Sequence, residues 1–295
     1  SRAVARIIYF LDDEYLLRLR EVSKNSKEMF DRSILKYRQT LSEVRISCAD
    51  GGQAVEIAFE CEDVDFVIWK IALAHITSGK NTSFTVDGKR LVAAMKQEEF
   101  SYFLDHIRDI IDGVCFEWIE FDEVHPGIVR HCSKFFEGRE VGCIHIGEIN
   151  DEYSDFSPWI DLIRKSNVSD IVCEISHINK DIFKYVLDVA DIVDNLTVFA
   201  HKQLNNKINY VSFAREILCR KCKVFSFDYR KHIISLTDIE NLLKLLHTFN
   251  KDVVFMGITN SEYMNVQVGA FVVQIKENLQ FNVRDLIIQR IGNDS

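Results

Sequence analysis

Two groups of sulfur and imidazole side chains are the first features of this sequence that could do chemistry. Cys219 and Cys222 form a CxxC pair. A second group contains His125, His131, Cys132, Cys143 and His145. A zinc site built on the CxxC needs two more ligands at comparable spacing, and no second CxxC or HxxxH follows it in the sequence. Cys143 and His145 share one face of a predicted strand, which leaves a ligand pair geometrically possible. We interpret both groups as structural and predict no metal site.

Nucleotide-binding and nucleophile motifs are the second possibility. Gly79-Lys80 in "HITSGKNTS" resembles the end of a P-loop, but that loop requires a glycine five positions earlier, where Ala74 stands. The sequence has no Gly-x-Ser-x-Gly elbow. A Ser/His/Asp or Cys/His set can be assembled on paper from any chain of this length. The sequence therefore predicts no catalytic residue and no cofactor.

The part of the chain that must position any site is repetitive. Short β-rich runs recur at intervals of 25 to 30 residues, and their central residues are Ile119, Ile146, Cys173, Val198, Phe225 and Phe255. Helix start signals lie between them, such as Ser157-Pro158 and the capping-box spacing of Thr237 and Glu240. One strand and one helix per repeat predict parallel strands joined by right-handed crossovers.

Two α/β architectures satisfy this pattern, a closed or doubly wound sheet and an open solenoid. The nearly constant period, the short alternating strands and the lack of a glycine-rich strand-to-helix turn favour the solenoid. We predict an irregular leucine-rich-repeat-like α/β solenoid over residues 42–295, because the repeats match no standard consensus. The runs "MNVQVGAFVVQIKE" and "LQFNVRDLIIQRI" predict two antiparallel strands that cap its C-terminal end.

Three further elements are predicted before the repeats. "EVRIS" and "AVEIAFE" flank a turn signal at Ala49 to Gly52 and predict a β-hairpin. "VDFVIWKIALAHI" predicts a helix, "TSFTVD" a strand, and Arg90 to Ile111 a second helix.

The candidate binding residues lie on the repeat strands and face away from the helices. The residues predicted to point inward are Ile119, Phe121, Ile144, Ile146, Val198, Ala200, Phe225 and Phe227. The alternate positions then line a concave surface, and they are Trp118, Glu120, His145, Glu174, Phe199, His201 and Asp228. Aromatic side chains interleaved with charge suit a protein-binding face. Packing of Trp118 and Phe199 beneath a loop is the alternative.

Residues 1–41 form a separate small module. Apolar residues at helical spacing make three stripes, which are Val4, Ile7, Ile8 and Leu11, then Tyr15, Leu16, Leu19 and Val22, then Met29, Phe30, Ile34 and Leu35. So few residues cannot bury both sides of three helices among themselves, so the module needs a neighbour. That neighbour is either the rest of the chain, which the module would cap, or another protein.

The stretch "RIIYFLDDEYLLRLREVSKNSKEMF" resembles the F-box, whose pattern runs ILxxL, a short turn, then LLxLxxVSxxW. The matching residues are Ile7, Ile8, Leu11, Leu16, Leu17, Leu19, Val22 and Ser23. The chain departs from the pattern in lacking the leading Leu-Pro and in having Ser26 near the position of the frequent Trp. The module covers about one seventh of the chain.

The resemblance implies docking on a Skp-type adaptor protein within an SCF-type cullin-RING ubiquitin ligase. The adaptor-binding residues it implies are Ile7, Ile8, Leu11, Leu16, Leu17, Leu19 and Val22. An F-box followed by irregular α/β repeats is similar to the nematode F-box proteins with an FTH-type associated domain. This implies a non-catalytic subunit whose domain 42–295 binds a target protein for degradation. The alternatives are a repeat-type scaffold unrelated to ubiquitin, and an α/β hydrolase or transferase whose site the repeats conceal.

Composition narrows the partners and the compartment. The 295 residues are 47% hydrophobic and 27% charged, with no apolar run long enough to span a membrane. The net charge of −9 disfavours nucleic-acid and anionic-membrane partners. Residues 1–45 carry 10 Lys/Arg against 7 Asp/Glu, and the remainder 26 against 38, which slightly favours a basic partner for the larger part. Most of the eight cysteines lie in apolar runs, which predicts a reducing intracellular location, in the cytoplasm or nucleus.

Overall fold

The structure, a computed structural model, describes residues 18, 22–24, 40–49, 53–60, 83–87, 90–108, 115–149, 155–175, 179–200, 210–249, 251–259, 264–277 and 284–290. The chain divides into two compact units, the first comprising Ser1–Ile144 and Ser157–Val168 and the second His145–Phe156 and Ser169–Ser295. The described residues form six helices and the thirteen strands of a mixed sheet. The predicted α/β class is thereby confirmed.

The first unit opens with antiparallel strands and continues with strand–helix repeats. Its elements are β1 (Thr40–Ala49), β2 (Ala54–Glu60), β3 (Ser83–Asp87), β4 (Arg90–Lys96), α1 (Gln97–Arg108), β5 (Cys115–Asp122), α2 (Pro126–Phe135), the start of β6 (Glu140–Ile149) and α3 (Ser157–Lys165). The strand order is β3-β4-β2-β1-β5. β1 pairs antiparallel with β2, as the turn signal between them predicts, and parallel with β5.

The helix predicted from Arg90 to Ile111 is wrong in its first part. Residues Arg90–Lys96 form strand β4, and the helix begins only at Gln97. Leu91, Ala93 and Met95 are buried, and the residues between them are partly exposed. This period-two burial is that of a strand covered on one face. The helix-favouring alanines and methionine misled the prediction, because pairing with β2 and β3 outweighs local propensity.

The second unit is a run of parallel strands that ends in antiparallel ones. Its elements are the end of β6, most of β7 (Asn167–Ile175), α4 (Lys180–Ala190), β8 (Asn195–Ala200), α5 (Tyr210–Leu218), β9 (Val224–Ile233), α6 (Leu236–Leu246), β10 (Asp252–Thr259), β11 (Met264–Val268), β12 (Phe271–Glu277) and β13 (Arg284–Arg290). β7, β8, β9 and β10 are parallel neighbours in chain order. Right-handed crossovers between such neighbours place their helices on one side of the strands.

The C-terminal runs form three antiparallel strands where two are predicted. "MNVQVGAFVVQIKE" is split into β11 and β12 by a turn at Gly269, whose φ of 60° is accessible to glycine at little cost. β13 lies between β10 and β12 and pairs antiparallel with both, so the last strand in the chain, and not the first of the three, adjoins the parallel strands.

Two helices of the second unit start at side-chain caps. The Oδ1 atom of Asn179 accepts hydrogen bonds from the backbone N–H groups of Asp181 and Ile182, at 2.9 and 2.8 Å. Ser235 Oγ accepts one from the N–H of Asp238 at 3.2 Å, so the cap of α6 is Ser235 and not the predicted Thr237, which lies inside the first turn. Both caps satisfy donors that a helix start leaves unpaired.

The helices pack on the strand face that carries the predicted inward residues. In the first unit, Trp159 of α3 meets Phe121 of β5 edge to face, with ring centroids 5.1 Å apart. In the second, Phe213 of α5 contacts Phe227 of β9 at 5.2 Å. All eight residues predicted to point inward are at most 5% exposed. The period-two burial of the repeat strands therefore has the predicted phase.

Some predicted elements lie outside the described residues. These are most of the N-terminal module and the helix predicted at "VDFVIWKIALAHI". In the parts of the chain that are described, no helix has the length and apolar character that a membrane span requires.

Candidate functional site

The side of the strands opposite Phe121 and Phe227, here called the outer face, carries the predicted binding residues. On β8 the residues alternate between buried and partly exposed along the whole strand, and β5 and β7 alternate in the same way over most of their length. The partly exposed positions of these three strands include Trp118, Glu174 and Phe199. The α/β repeat thus generates the outer face directly, because each strand buries one side beneath helices and leaves the other more open.

Three of the predicted residues form one cross-strand row in the second unit. Glu174 of β7 pairs in register with Phe199 of β8, which pairs with Asp228 of β9. We call Glu174, Phe199 and Asp228 the acid–aromatic row. The same register continues through Met256 of β10 to Ile287 of β13. Adjacent strands lie about 4.8 Å apart, so the ring of Phe199 stands on a position flanked on both sides by a carboxylate residue.

His145 extends this row through a direct contact. Its Nε2 atom lies 2.9 Å from Oε1 of Glu174, and the two side chains are 15% and 26% exposed. A carboxylate only accepts hydrogen bonds, so the tautomer that makes this bond has its proton on Nε2. The contact restrains the Glu174 side chain where it flanks Phe199.

Asp228 is more deeply placed than the sequence predicts. Its position on the outer face follows from its pairing with Phe199 and Met256, but the residue is only 5% exposed. The register between β9 and β10 shifts at Gly257/Ile258, one residue beyond the Met256 position.

Trp118 and Glu120 belong to the first unit and not to this row. Arg45 of β1 bridges Glu120 of β5, with Nη2 and Oε2 2.7 Å apart, and reaches Glu43 on its own strand at 3.3 Å. Burial alone would lower the pKa of Arg45, but the two carboxylates outweigh it and raise that pKa above its ordinary value. Trp118 pairs in register with Glu43. The ion pair with Arg45 thus engages Glu120 within the first unit.

The structure assigns no shared reactive role to the CxxC pair. Cys219 is exposed and Cys222 is buried, so the two thiols do not present one accessible site. Burial raises the pKa of Cys222, against the smaller opposing effect of Lys251. The seven cysteines of the described segments are all free thiols. Nor do the described side chains include a group of three or more His, Cys, Asp or Glu residues arranged to hold a metal ion.

The remaining predicted residues divide by whether the structure describes them. His201 lies outside the described residues, as do the adaptor-binding candidates Ile7, Ile8, Leu11, Leu16, Leu17 and Leu19. Val22 is described and is 75% exposed. Sequence reasoning missed Met256 and Ile287, which complete the row. The period-two alternation around Phe255 in the sequence already indicated that Met256 lies on the outer face. The place of Ile287 depends on the pairing of β13 with β10, which the sequence pattern does not reveal.

Comparisons with known proteins add little to this picture. No protein-family model matches the chain, and no curated protein matches it. A solved structure described as a conserved hypothetical protein from Streptococcus pyogenes aligns with 52% of this chain and 89% of its own, at 13% identity and a TM-score of 0.22. A likeness at that score carries no argument about fold or function.

Proposed function

We propose that this chain is the substrate-recognition subunit of an SCF-type cullin-RING ubiquitin ligase. Residues 1–41 would bind a Skp-type adaptor as an F-box, and residues 42–295 would bind the target protein as an FTH-like α/β repeat domain. The observation that carries the proposal is the run of matches to the F-box pattern, in one register from Ile7 to Ser23. The chain itself performs no chemistry in this role and needs no cofactor.

The outer face supports the target-binding half of the proposal. It presents an aromatic ring beside carboxylates on regular strands, and rigid strands hold such groups more accurately than loops do. Parallel strands that neighbour one another in chain order favour the irregular solenoid over a doubly wound sheet, whose strand order reverses at its ligand-binding crevice. Free cysteines, of which Cys132, Cys173 and Cys222 are buried, suit an intracellular protein, in the cytoplasm or nucleus.

The mechanism is tethering. The F-box end holds the chain on the ligase core, and the repeat domain holds the target. Target lysines are then kept at high effective concentration near the ubiquitin-loaded conjugating enzyme. Specificity resides in the repeat domain, because the adaptor contact is common to every target.

The experiment is co-expression of residues 1–295 with a Skp-type adaptor, followed by size-exclusion chromatography. We expect a stable 1:1 complex. The double variant Leu16→Asp/Leu17→Asp should abolish it, because two charges cannot be buried in an apolar contact, while leaving the far-ultraviolet circular dichroism unchanged. The matched control Leu16→Met/Leu17→Met keeps the volume and apolar character and should retain the complex.

The opposite result favours the scaffold alternative. If the wild-type chain ignores the adaptor, and the charged double variant unfolds while the methionine control does not, Leu16 and Leu17 are internal core residues. The N-terminal helices would then cap a repeat-type protein-binding scaffold unrelated to ubiquitin.

A further inference from the structure

Strand β11 stands at the end of the second unit's strand order, and its one neighbour among the described strands is β12. All of its described side chains, at positions 265–268, are exposed. Val266 and Val268 share a face with Val273 and Phe271, their partners in register on β12. Those partners are at most 1% exposed, whereas Val266 is 42% and Val268 36% exposed. The burial of this face therefore ends at β12 and leaves β11 open.

The backbone of β11 directs hydrogen-bonding groups to its open side in a regular arrangement. A two-residue turn joins Val268 to Phe271, so these two residues form a hydrogen-bonded pair. Hydrogen-bonded and non-hydrogen-bonded pairs alternate along an antiparallel ladder, so Val266 also directs its N–H and C=O groups toward β12. Asn265 and Gln267 direct theirs the other way. Two N–H and two C=O groups thus lie on a side of β11 where no described strand pairs with them.

The sequence of β11 lacks the usual protection of an edge strand. Native edge strands are commonly guarded against pairing by a charged side chain, a proline or a bulge. The sequence "MNVQV" contains neither a charge nor a proline, and its register with β12 runs without a shift. By contrast β3, at the end of the first unit's strand order, ends in Asp87. Of these two edge strands, β11 is the one whose composition permits another strand beside it.

We propose that β11 pairs antiparallel with β11 of a second copy of this chain, about a two-fold axis at Val266. Only the register centred on this residue pairs all five residues of the strand. It sets Asn265 opposite Gln267 of the second copy, so the open backbone groups of the two copies form four hydrogen bonds. The two Val266 side chains meet at a non-hydrogen-bonded position, where cross-strand side chains are closest, on the face where each is exposed.

A second copy fits this edge because β11 is complementary to itself. Reversing "MNVQV" gives "VQVNM", so every apolar residue faces an apolar residue and every amide faces an amide. The chain has a net charge of −9, and a strand without charge is where two such chains can meet without like charges facing each other. An isologous contact of this kind is the commonest form of homodimer interface.

The contact is small, so the pairing is weak. Five residues from each copy are far fewer than the about 20–30 per side of a standard interface. We expect a dissociation constant on the order of 50 μM, so that at about 5 μM the chain is mostly monomeric and a 1:1 complex with an adaptor is unaffected. In the proposed ligase the pairing would join two target-binding domains and strengthen the capture of a multivalent target. The pairing itself does not depend on that function.

Sedimentation equilibrium of the full chain 1–295 between about 2 and 200 μM tests the pairing. We expect the average mass to rise with concentration from 34.3 kDa toward twice that value. Val266→Lys should weaken the association at least tenfold, because like charges would face each other across the axis. The matched control is Val86→Lys on edge strand β3, where Val86 is 45% exposed, and it should stay within about twofold of wild type. An equimolar mixture of Val266→Lys and Val266→Glu should regain association, because opposite charges then face each other.

Three results would overturn the inference. The first is the mass of a single chain over the whole concentration range, which would leave the edge to a strand of another protein. The second is equal loss in Val266→Lys and Val86→Lys, and the third is no recovery in the mixture, both of which would place the contact elsewhere. Circular dichroism of each variant confirms that it is folded. Adaptor co-expression is a separate measurement, so its failure overturns the ligase proposal and leaves this inference standing.

Discussion

Two phenylalanines on neighbouring strands should respond very differently to truncation. Phe227 of β9 points toward the helices and is 2% exposed, with ring centroids of Phe213, Phe225 and Phe255 at 5.2, 6.1 and 5.7 Å. Phe199 of β8 stands on the outer face and is partly exposed. The variants Phe227→Ala and Phe199→Ala therefore remove the same atoms from the two sides of one sheet.

The magnitudes follow from burial and ring contacts. Truncating a fully buried phenylalanine costs about 3–5 kcal/mol, and three aromatic neighbours place Phe227 in the upper part of that range. A partly exposed ring loses less transfer free energy and leaves no closed cavity, so Phe199→Ala should cost about 1–2 kcal/mol. With a urea m-value of about 3 kcal/mol per M, the midpoint falls by more than about 1 M for Phe227→Ala and by about 0.5 M for Phe199→Ala.

Urea unfolding followed by circular dichroism measures both shifts. All three tryptophans, at 69, 118 and 159, fall within the first unit, so tryptophan fluorescence follows that unit as an internal reference. We expect Phe227→Ala to lower the urea midpoint by at least twice as much as Phe199→Ala does. Equal midpoint shifts in the two variants would refute the assignment of faces, because Phe199 would then be packed as deeply as Phe227.

Two further predictions concern the first unit. Burial raises the pKa of Cys132 well above its ordinary value, so this thiol stays protonated in the folded chain while it ionises in the unfolded one. Its contribution to stability is present below about pH 8.5 and is lost as the pH rises above it, by about 1.4 kcal/mol per unit. Between pH 7.5 and pH 10 the urea midpoint should therefore fall less in Cys132→Ala than in wild type. In the exposed-thiol control Cys219→Ala it should fall as much as in wild type. An equal fall in the two variants would contradict the burial of Cys132. A Cβ added at Gly142 would lie 2.6 Å from the backbone oxygen of Glu117, so Gly142→Ala should cost about 1–3 kcal/mol of unfolding free energy, and an unchanged midpoint would contradict that close approach.

The strand positions and their burial phase could be predicted from the sequence, and the reason is local. Side chains that alternate at period two report which face of a strand is covered, and residues such as Ile119 and Phe225 have the predicted burial. The spacing of the strands, filled by helical stretches, then implied parallel neighbours. These inferences need only short-range information.

The errors lie where distant parts of the chain decide the outcome. Arg90–Lys96 is a strand because β2 and β3 pair with it, which its own composition does not reveal. Asp228 is on the predicted face but buried, in a strand whose register shifts close by. Ile287 continues the register of the acid–aromatic row only because β13 pairs with β10. Pairing order and register shifts are tertiary properties that a hydrophobic pattern leaves open.

The proposal that the chain is a subunit of a ubiquitin ligase depends on the N-terminal module. The most direct measurement is the mass of the species formed when residues 1–295 are co-purified with a Skp-type adaptor, determined by light scattering during size-exclusion chromatography. We expect a single peak whose mass is the sum of one copy of each protein, lost in Leu16→Asp/Leu17→Asp and kept in Leu16→Met/Leu17→Met. Two separate peaks at the individual masses, with the wild-type chain folded, would contradict it.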